Sequence, residues 1–197
     1  VRALGTGRHF VGPTGQFEQQ VAGHHVVAEL VDVADDFRER APAGSSAEMW
    51  LKDDKYDSDL HHYSHRAVGV PGTVSGLHLA WKEHGSKPWK DLLAPAIALA
   101  RDGFLVSHGL ALSLEEMIPE FKKYPASLAQ FSRNGEPYQA GDILKQADLA
   151  RTLTRIAEQG PKGFYEGETA MLIEKEMKAH DGLITREDLK AYQAKKR

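Results

Sequence analysis

The sequence contains no cysteine. That excludes disulfides, a thiol nucleophile and any zinc site built on thiolates, and it fits a bacterial cytoplasmic protein and an exported one equally well. Charge of one sign is also scarce. Lys and Arg number 25 against 28 Asp and Glu, a formal net charge of -3, so there is no basic footprint for nucleic acid or for an anionic membrane. No apolar run approaches the ~20 residues that a membrane-spanning helix needs. The opening Val1-Arg2-Ala3-Leu4-Gly5 lacks the charged leader and apolar core of a signal peptide. Internal repeats and low-complexity tracts are missing as well.

What is present is a chain of 197 residues, 41% hydrophobic and 27% charged. This is enough for one domain with a real core, or for part of a larger one. Residues 1–34 divide from the rest. Glycines 5, 7, 12 and 15 and Pro13 dominate the start, and the β-branched run Val26-Val27-Ala28-Glu29-Leu30-Val31-Asp32-Val33 suggests a strand. Residues 43–65 are polar and read as irregular. His62 and His65 lie three apart there, but a zinc reading needs a third ligand and a helix, and neither is evident. Surface histidines in a loop are the ordinary reading.

Helices follow. Pro71-Gly72 signals a turn, with Thr73 as the expected cap of a helix that stops at Gly85. Pro88 suits the first turn of the next, in which Leu92, Leu93, Ala96, Ile97, Leu99 and Ala100 recur at helical spacing until Gly103. A third starts near Ser107, with Leu110, Leu114, Met117 and Ile118 on one side, and Pro119 is expected to kink or end it. Asn134-Gly135 predicts a hairpin turn. Further helices are expected over about 148–159, broken by Gly160-Pro161, and over about 168–180, with Ala170, Leu172, Ile173 and Met177 on or near the buried side. Thr185 with an acidic residue three positions on predicts a capped short helix through Leu189 and Tyr192.

The chemistry centres on Asp36-Phe37-Arg38-Glu39-Arg40-Ala41-Pro42. Arginine suits the two-pronged grip of a carboxylate, although Arg beside Glu is more commonly a solvated loop. The Gly69–Gly76 run lacks the Lys-Ser/Thr ending of a phosphate loop, so a tight turn with close helix packing is its better reading.

The arginine motif together with Val68-Gly69-Val70-Pro71-Gly72-Thr73-Val74-Ser75-Gly76-Leu77 resembles the gamma-glutamyltranspeptidase family. So do Pro88-Trp89, Ala94-Pro95-Ala96, Ala100-Arg101-Asp102-Gly103-Phe104, Phe164-Tyr165-Glu166-Gly167 and Gly182-Leu183-Ile184-Thr185, in that order. The resemblance covers residues 35–197, the large-subunit portion, and leaves 1–34 as a divergent or truncated segment. It implies an α+β chain, the mostly helical part of an N-terminal-nucleophile hydrolase (αββα) fold.

The resemblance further implies a proenzyme that cuts itself, exposing a threonine that attacks the γ-glutamyl amide of glutathione and related compounds. The acyl group then passes to water or an amino-acid acceptor. Arg38 is implied to hold the substrate α-carboxylate, with Glu39 either orienting it or purely structural. Arg40 either pairs on the surface or faces the cleft. The implied partners are a small γ-glutamyl substrate and the small subunit that carries the nucleophile. No metal or other cofactor, nucleic acid or membrane is called for, and the implied location is periplasmic or secreted. In the family the threonine lies well beyond the Gly182–Thr185 landmark, whereas twelve residues follow Thr185 here. No catalytic residue is therefore expected among Thr6, Thr14, Thr73, Thr152, Thr154, Thr169 and Thr185. A non-catalytic helical domain that binds a partner or a small amino-acid ligand is the alternative.

Overall fold

The computed structural model describes residues 17–21, 24–28 and 35–196. Two compact units divide at residue 35. In the first, the strands Phe17–Val21 and His24–Ala28 form an antiparallel hairpin with Phe17 opposite Ala28 and Val21 opposite His24. The strand expected over 26–33 is thus present through Ala28, and 29–33 lie outside the described residues.

Helices dominate the second unit. They are α1 (Ser58–Tyr63), α2 (Thr73–His84), α3 (Trp89–Asp102), α4 (His108–Phe121), α5 (Pro125–Phe131), α6 (Ala147–Gln159), α7 (Lys162–Tyr165), α8 (Gly167–Ala179) and α9 (Arg186–Lys190), with a 3₁₀ turn at His65–Ala67. Its strands are two-residue pairs, among them Ser132–Arg133 with Glu136–Pro137 and Phe104–Leu105 with Ile143–Leu144. The class is α+β and mostly helical.

Local chemistry explains most boundaries. Asn134 and Gly135 adopt φ of 56° and 92°, the left-handed pair that a two-residue hairpin turn demands. Ser107 caps α4 by accepting from the Leu110 amide at 3.2 Å. Thr185 and Asp188 form a reciprocal capping box that opens α9. Pro119 does not end α4, which runs on to Phe121 while the Lys122 amide still donates to Ile118 at 3.0 Å. A proline so near the C-terminal end removes one ladder bond and leaves the last turn intact.

The stretch 43–65 is more ordered than its composition suggests. Leu51–Lys52 and Lys55–Tyr56 form a hairpin whose turn residues, Asp53 and Asp54, take φ of 52° and 60°. Asp57 then caps α1 by accepting from the Leu60 amide at 2.8 Å. No residue of α1 is buried, so the sequence carries no apolar period to announce it.

The core gathers Val70, Tyr165, Ala170, Met177, Ile184, Leu189 and Tyr192, with Val74, Phe164 and Ile173 packed around it. Leu189 is wholly buried; burying a side chain of that size contributes roughly 1.5–3 kcal/mol. The buried stripe of α8 is Thr169, Ala170, Glu174 and Met177, so Leu172 falls off it and is 46% exposed, contrary to the sequence expectation. On α3 only Ala100 is buried. Leu92 and Leu99, seven residues apart and so on one face, are about half exposed, and Leu105 and Ile143 are exposed together in one strand pair.

Candidate functional site

The backbone of residues 36–42 is held from three sides. Arg40 and Val70 exchange both main-chain hydrogen bonds, at 3.2 and 2.8 Å. The Tyr192 hydroxyl, from beyond α9, donates to the Arg38 carbonyl at 2.7 Å. Within the motif, the Arg38 amide donates to Asp36 Oδ1 at 3.2 Å.

The glycine run supplies the third support. The Phe37 ring lies directly on Gly76 in α2, where a Cβ would overlap it. Gly72 sits against the Phe37 carbonyl and the Tyr192 ring, and a Cβ there would come within 2.7 Å of Tyr192 Cζ. These residues pack against the arginine motif through close approach of backbone and ring, as the tight-turn reading of the run expects.

Thr73 is not the cap of α2. Gly72 occupies the cap position, and Thr73 begins the helix without a capping bond. The free Ser75 amide instead donates to the Tyr165 hydroxyl at 3.2 Å, and that hydroxyl donates to the Pro71 carbonyl at 2.8 Å. Tyr165 thereby serves the end of α2 from the distance of α7. Burial pushes its phenol up to about 12, against a smaller downward pull from the Ser75 amide. The Tyr192 phenol is also raised, first by burial and then by the neighbouring charge of Asp36. The two rings stack at 5.6 Å.

Above this clamped backbone, Arg38 is 85% exposed and Glu39 62% exposed, their charged ends 3.7 Å apart. Arg38 has no other ion partner among the described residues. Arg40 lines a cleft of about 260 Å³ with Val70, Asp188 and Tyr192.

Asp188 connects the site to the C-terminal helix. Its Oδ2 accepts from the Thr185 amide and hydroxyl at 3.0 and 2.7 Å, while Oδ1 accepts from the Ala43 amide at 2.8 Å. Burial pushes its carboxyl up, but the bonds from Ala43 and Thr185 outweigh that, so the net shift is downward.

The histidines singled out by spacing part company. His62 belongs to α1 and stacks on His61, whereas His65 begins the 3₁₀ turn and stacks on His180. Sequence reasoning missed Tyr192 and Tyr165 as supports of the motif. Tyr192 reads as the end of a short helix and Tyr165 as part of the Phe164–Gly167 landmark, and no local spacing reports a hydroxyl bond across 90 residues or more.

A family model described as gamma-glutamyltranspeptidase matches residues 31–197. The chain belongs to this family. The glutathione hydrolase proenzyme of Escherichia coli is 46% identical over 167 residues, covering 82% of this chain and 28% of the relative. Glutathione hydrolase 3 of Arabidopsis thaliana is 38% identical over 160 residues, covering 81% of this chain and 24% of the relative. Among solved structures, the Helicobacter pylori gamma-glutamyltranspeptidase superposes with a TM-score of 0.81 at 39% identity, covering 95% of this chain and 52% of that one. The fold is thus the helical part of the N-terminal-nucleophile hydrolase architecture. The chain spans about a quarter of the length of these curated relatives and about half of that solved chain.

Proposed function

We propose that this chain is the large-subunit-like part of an enzyme that cleaves γ-glutamyl amides, and that Arg38 binds the substrate α-carboxylate. The observation that carries the reading is an 85% exposed guanidinium on a backbone fixed by Tyr192, Val70 and the close contacts of Gly72 and Gly76 at the start of α2. A fixed backbone lowers the entropy lost when a planar fork closes on a carboxylate. Glu39 orients Arg38 from 3.7 Å. Residues 35–197 form the large-subunit-like region, and 1–34 are a divergent or truncated segment of it.

The reaction in this reading is acyl transfer. A threonine oxygen attacks the γ-carbonyl, the amide C–N bond breaks, the amine leaves with a proton, and water or an amine then takes the acyl group. The nucleophile lies outside this chain. In support, the described threonines have local tasks. Thr169 donates to the Gly163 carbonyl, Thr154 donates to the Ala150 carbonyl, Thr152 accepts from Arg155, Thr185 caps α9 and Thr73 opens α2. The name proenzyme on the Escherichia coli relative supports self-cleavage into two subunits. The exposed Leu92, Leu99, Leu105 and Ile143 support an apolar surface that a further subunit covers.

The test is the gene with its downstream sequence, expressed beside Arg38→Ala. Intact mass should show two subunits in both proteins, and γ-glutamyl-anilide hydrolysis should show a KM raised on the order of 100-fold in the variant, as expected for losing a charge-assisted pair. An unchanged KM would remove Arg38 from the site. Absence of both cleavage and γ-glutamyl binding would leave the non-catalytic alternative.

A further inference from the structure

Three residues that the γ-glutamyl reading does not use converge on the far end of α8. His65 leads the 3₁₀ turn, Glu176 lies in the last turn of α8, and His180 follows that helix directly. Glu176 Oε1 is 3.3 Å from His180 Nε2 and 3.7 Å from His65 Nε2. One ligand atom from each of the three falls within 4.8 Å of the others. We propose that His65, Glu176 and His180 bind a divalent transition-metal ion of the zinc type.

The spacing fits the chemistry. A tetrahedral zinc with bonds of about 2.0–2.1 Å holds its ligand atoms roughly 3.3 Å apart. The two carboxylate–imidazole separations are already close to that edge length, and rotation of the two imidazoles closes the site. Two imidazoles and one carboxylate are a donor set suited to zinc, nickel or copper and poorly suited to magnesium or calcium, which prefer all-oxygen shells. Three protein ligands leave a fourth position for water.

The fold pre-positions the set. Glu176 and His180 are four residues apart, which places them on one face at the end of α8. His65 is brought to that face by close contact, for a Cβ on Gly182 would stand 3.0 Å from the His65 Cβ. The Gly182 amide in turn donates to the Met177 carbonyl at 2.7 Å, which fixes the turn after the helix. The imidazoles of His65 and His180 stack at 4.6 Å with 19° between planes, so binding an ion would turn the rings out of this stack until both Nε2 lone pairs meet beside Glu176. The neighbouring Arg66 is paired with Asp181, which offsets its positive charge beside the site. His65 is the most sheltered ligand, at 27% side-chain exposure, while Glu176 and His180 at 57% and 53% leave an entry path from solvent. A bound ion would tie the 3₁₀ turn to the end of α8, and so fix the segment that leads into the Gly69–Gly76 run.

Calorimetric titration of the chelator-treated 197-residue chain with Zn²⁺ tests this, beside His180→Ala, Glu176→Gln and, as a control, the exposed His84→Ala. Circular dichroism checks that each variant is folded. The expected result is one saturable site, weakened at least tenfold in His180→Ala and in Glu176→Gln and unaltered in His84→Ala, with a Zn²⁺-dependent rise in Tm that both ligand variants lose. No saturable binding would overturn the proposal. Binding that persists unchanged in either ligand variant would overturn it too, because the ion would then sit elsewhere.

Discussion

The Tyr192 hydroxyl donates to the Arg38 carbonyl at 2.7 Å, joining residues 154 apart in the chain. The same ring stacks on Tyr165, whose hydroxyl serves the start of α2. One aromatic pair therefore fixes both walls of the arginine motif. Replacing Tyr192 by Phe removes the donor and keeps the ring. The expected loss is about 1 kcal/mol of stability, the usual net worth of one such bond, read from the urea midpoint. In the self-processed enzyme, KM should rise severalfold with kcat little changed. A stability loss with an unmoved KM would make Tyr192 a fold residue alone.

Glycines 76 and 109 both lie within helices and should respond oppositely to alanine. A Cβ at Gly76 overlaps the Phe37 ring, while one at Gly109 meets nothing within 4 Å. Gly76→Ala should displace Phe37 and the motif with it, at a cost of about 1–3 kcal/mol for overpacking. Gly109→Ala should add roughly 0.5–1 kcal/mol through helix propensity. Denaturation of the two variants side by side checks the sign. Equal effects would mean that the contact between Phe37 and α2 is not tight in solution.

Much of the helical frame is legible in the sequence because its signals are local. Gly85, Gly103 and Gly160 follow the last residues of α2, α3 and α6, and the Thr185–Asp188 box opens α9, each where side-chain chemistry next to the break demands it. Helix α1 is not legible, because it buries nothing. Thr73 misleads, because the cap it would provide is supplied instead by Tyr165 from another helix. At the candidate site, the residue types of the arginine motif are plain, but its clamp is not. Tyr192, Gly72 and Asp188 act through tertiary bonds for which helical spacing has no code.

Tyr165 should mark the alkaline limit of the fold. Its phenol is raised to about 12 in the folded chain, chiefly by burial, against an ordinary value of about 10. The folded state therefore holds this proton more tightly than the unfolded one. The resulting stability is fully present below about pH 10 and is lost as pH rises toward 12. Absorbance titration of the six tyrosines should show a latest ionisation, beyond that of the also raised Tyr192, that disappears in Tyr165→Phe. If that phenol titrates with the exposed tyrosines, the enclosure around Pro71 and Ser75 is open in solution.

Asp188 works at the opposite limit. Its folded carboxyl is lowered although burial acts against it, because the amides of Ala43 and Thr185 and the Thr185 hydroxyl all favour the charged form. A depressed carboxyl contributes stability above its unfolded value near pH 3.9, and that contribution is lost as pH falls through the folded value. Asp188→Asn replaces one accepting oxygen by a donor, leaving either the Ala43 amide or the Thr185 pair unmatched. A loss of about 1–3 kcal/mol at neutral pH is expected, with a shallower dependence of stability on pH between roughly 5 and 3. An unchanged acid limb would show that another carboxylate governs it.

Glu39 separates orientation from mere proximity. Its carboxylate is 3.7 Å from the Arg38 guanidinium and both ends are largely solvated, a separation longer than a hydrogen bond and readily screened by salt. Such a pair adds little to stability, so Glu39→Gln should leave the unfolding midpoint unchanged. If Glu39 holds Arg38 ready for a carboxylate, the variant should raise KM severalfold, and by less at high salt, where the pair is already screened. Arg38→Lys, which keeps the charge and loses the fork, should raise KM more, and adding Glu39→Gln to it should add little. Additive effects in the double variant would mean that the two side chains act independently, with Arg38 gripping the carboxylate unaided.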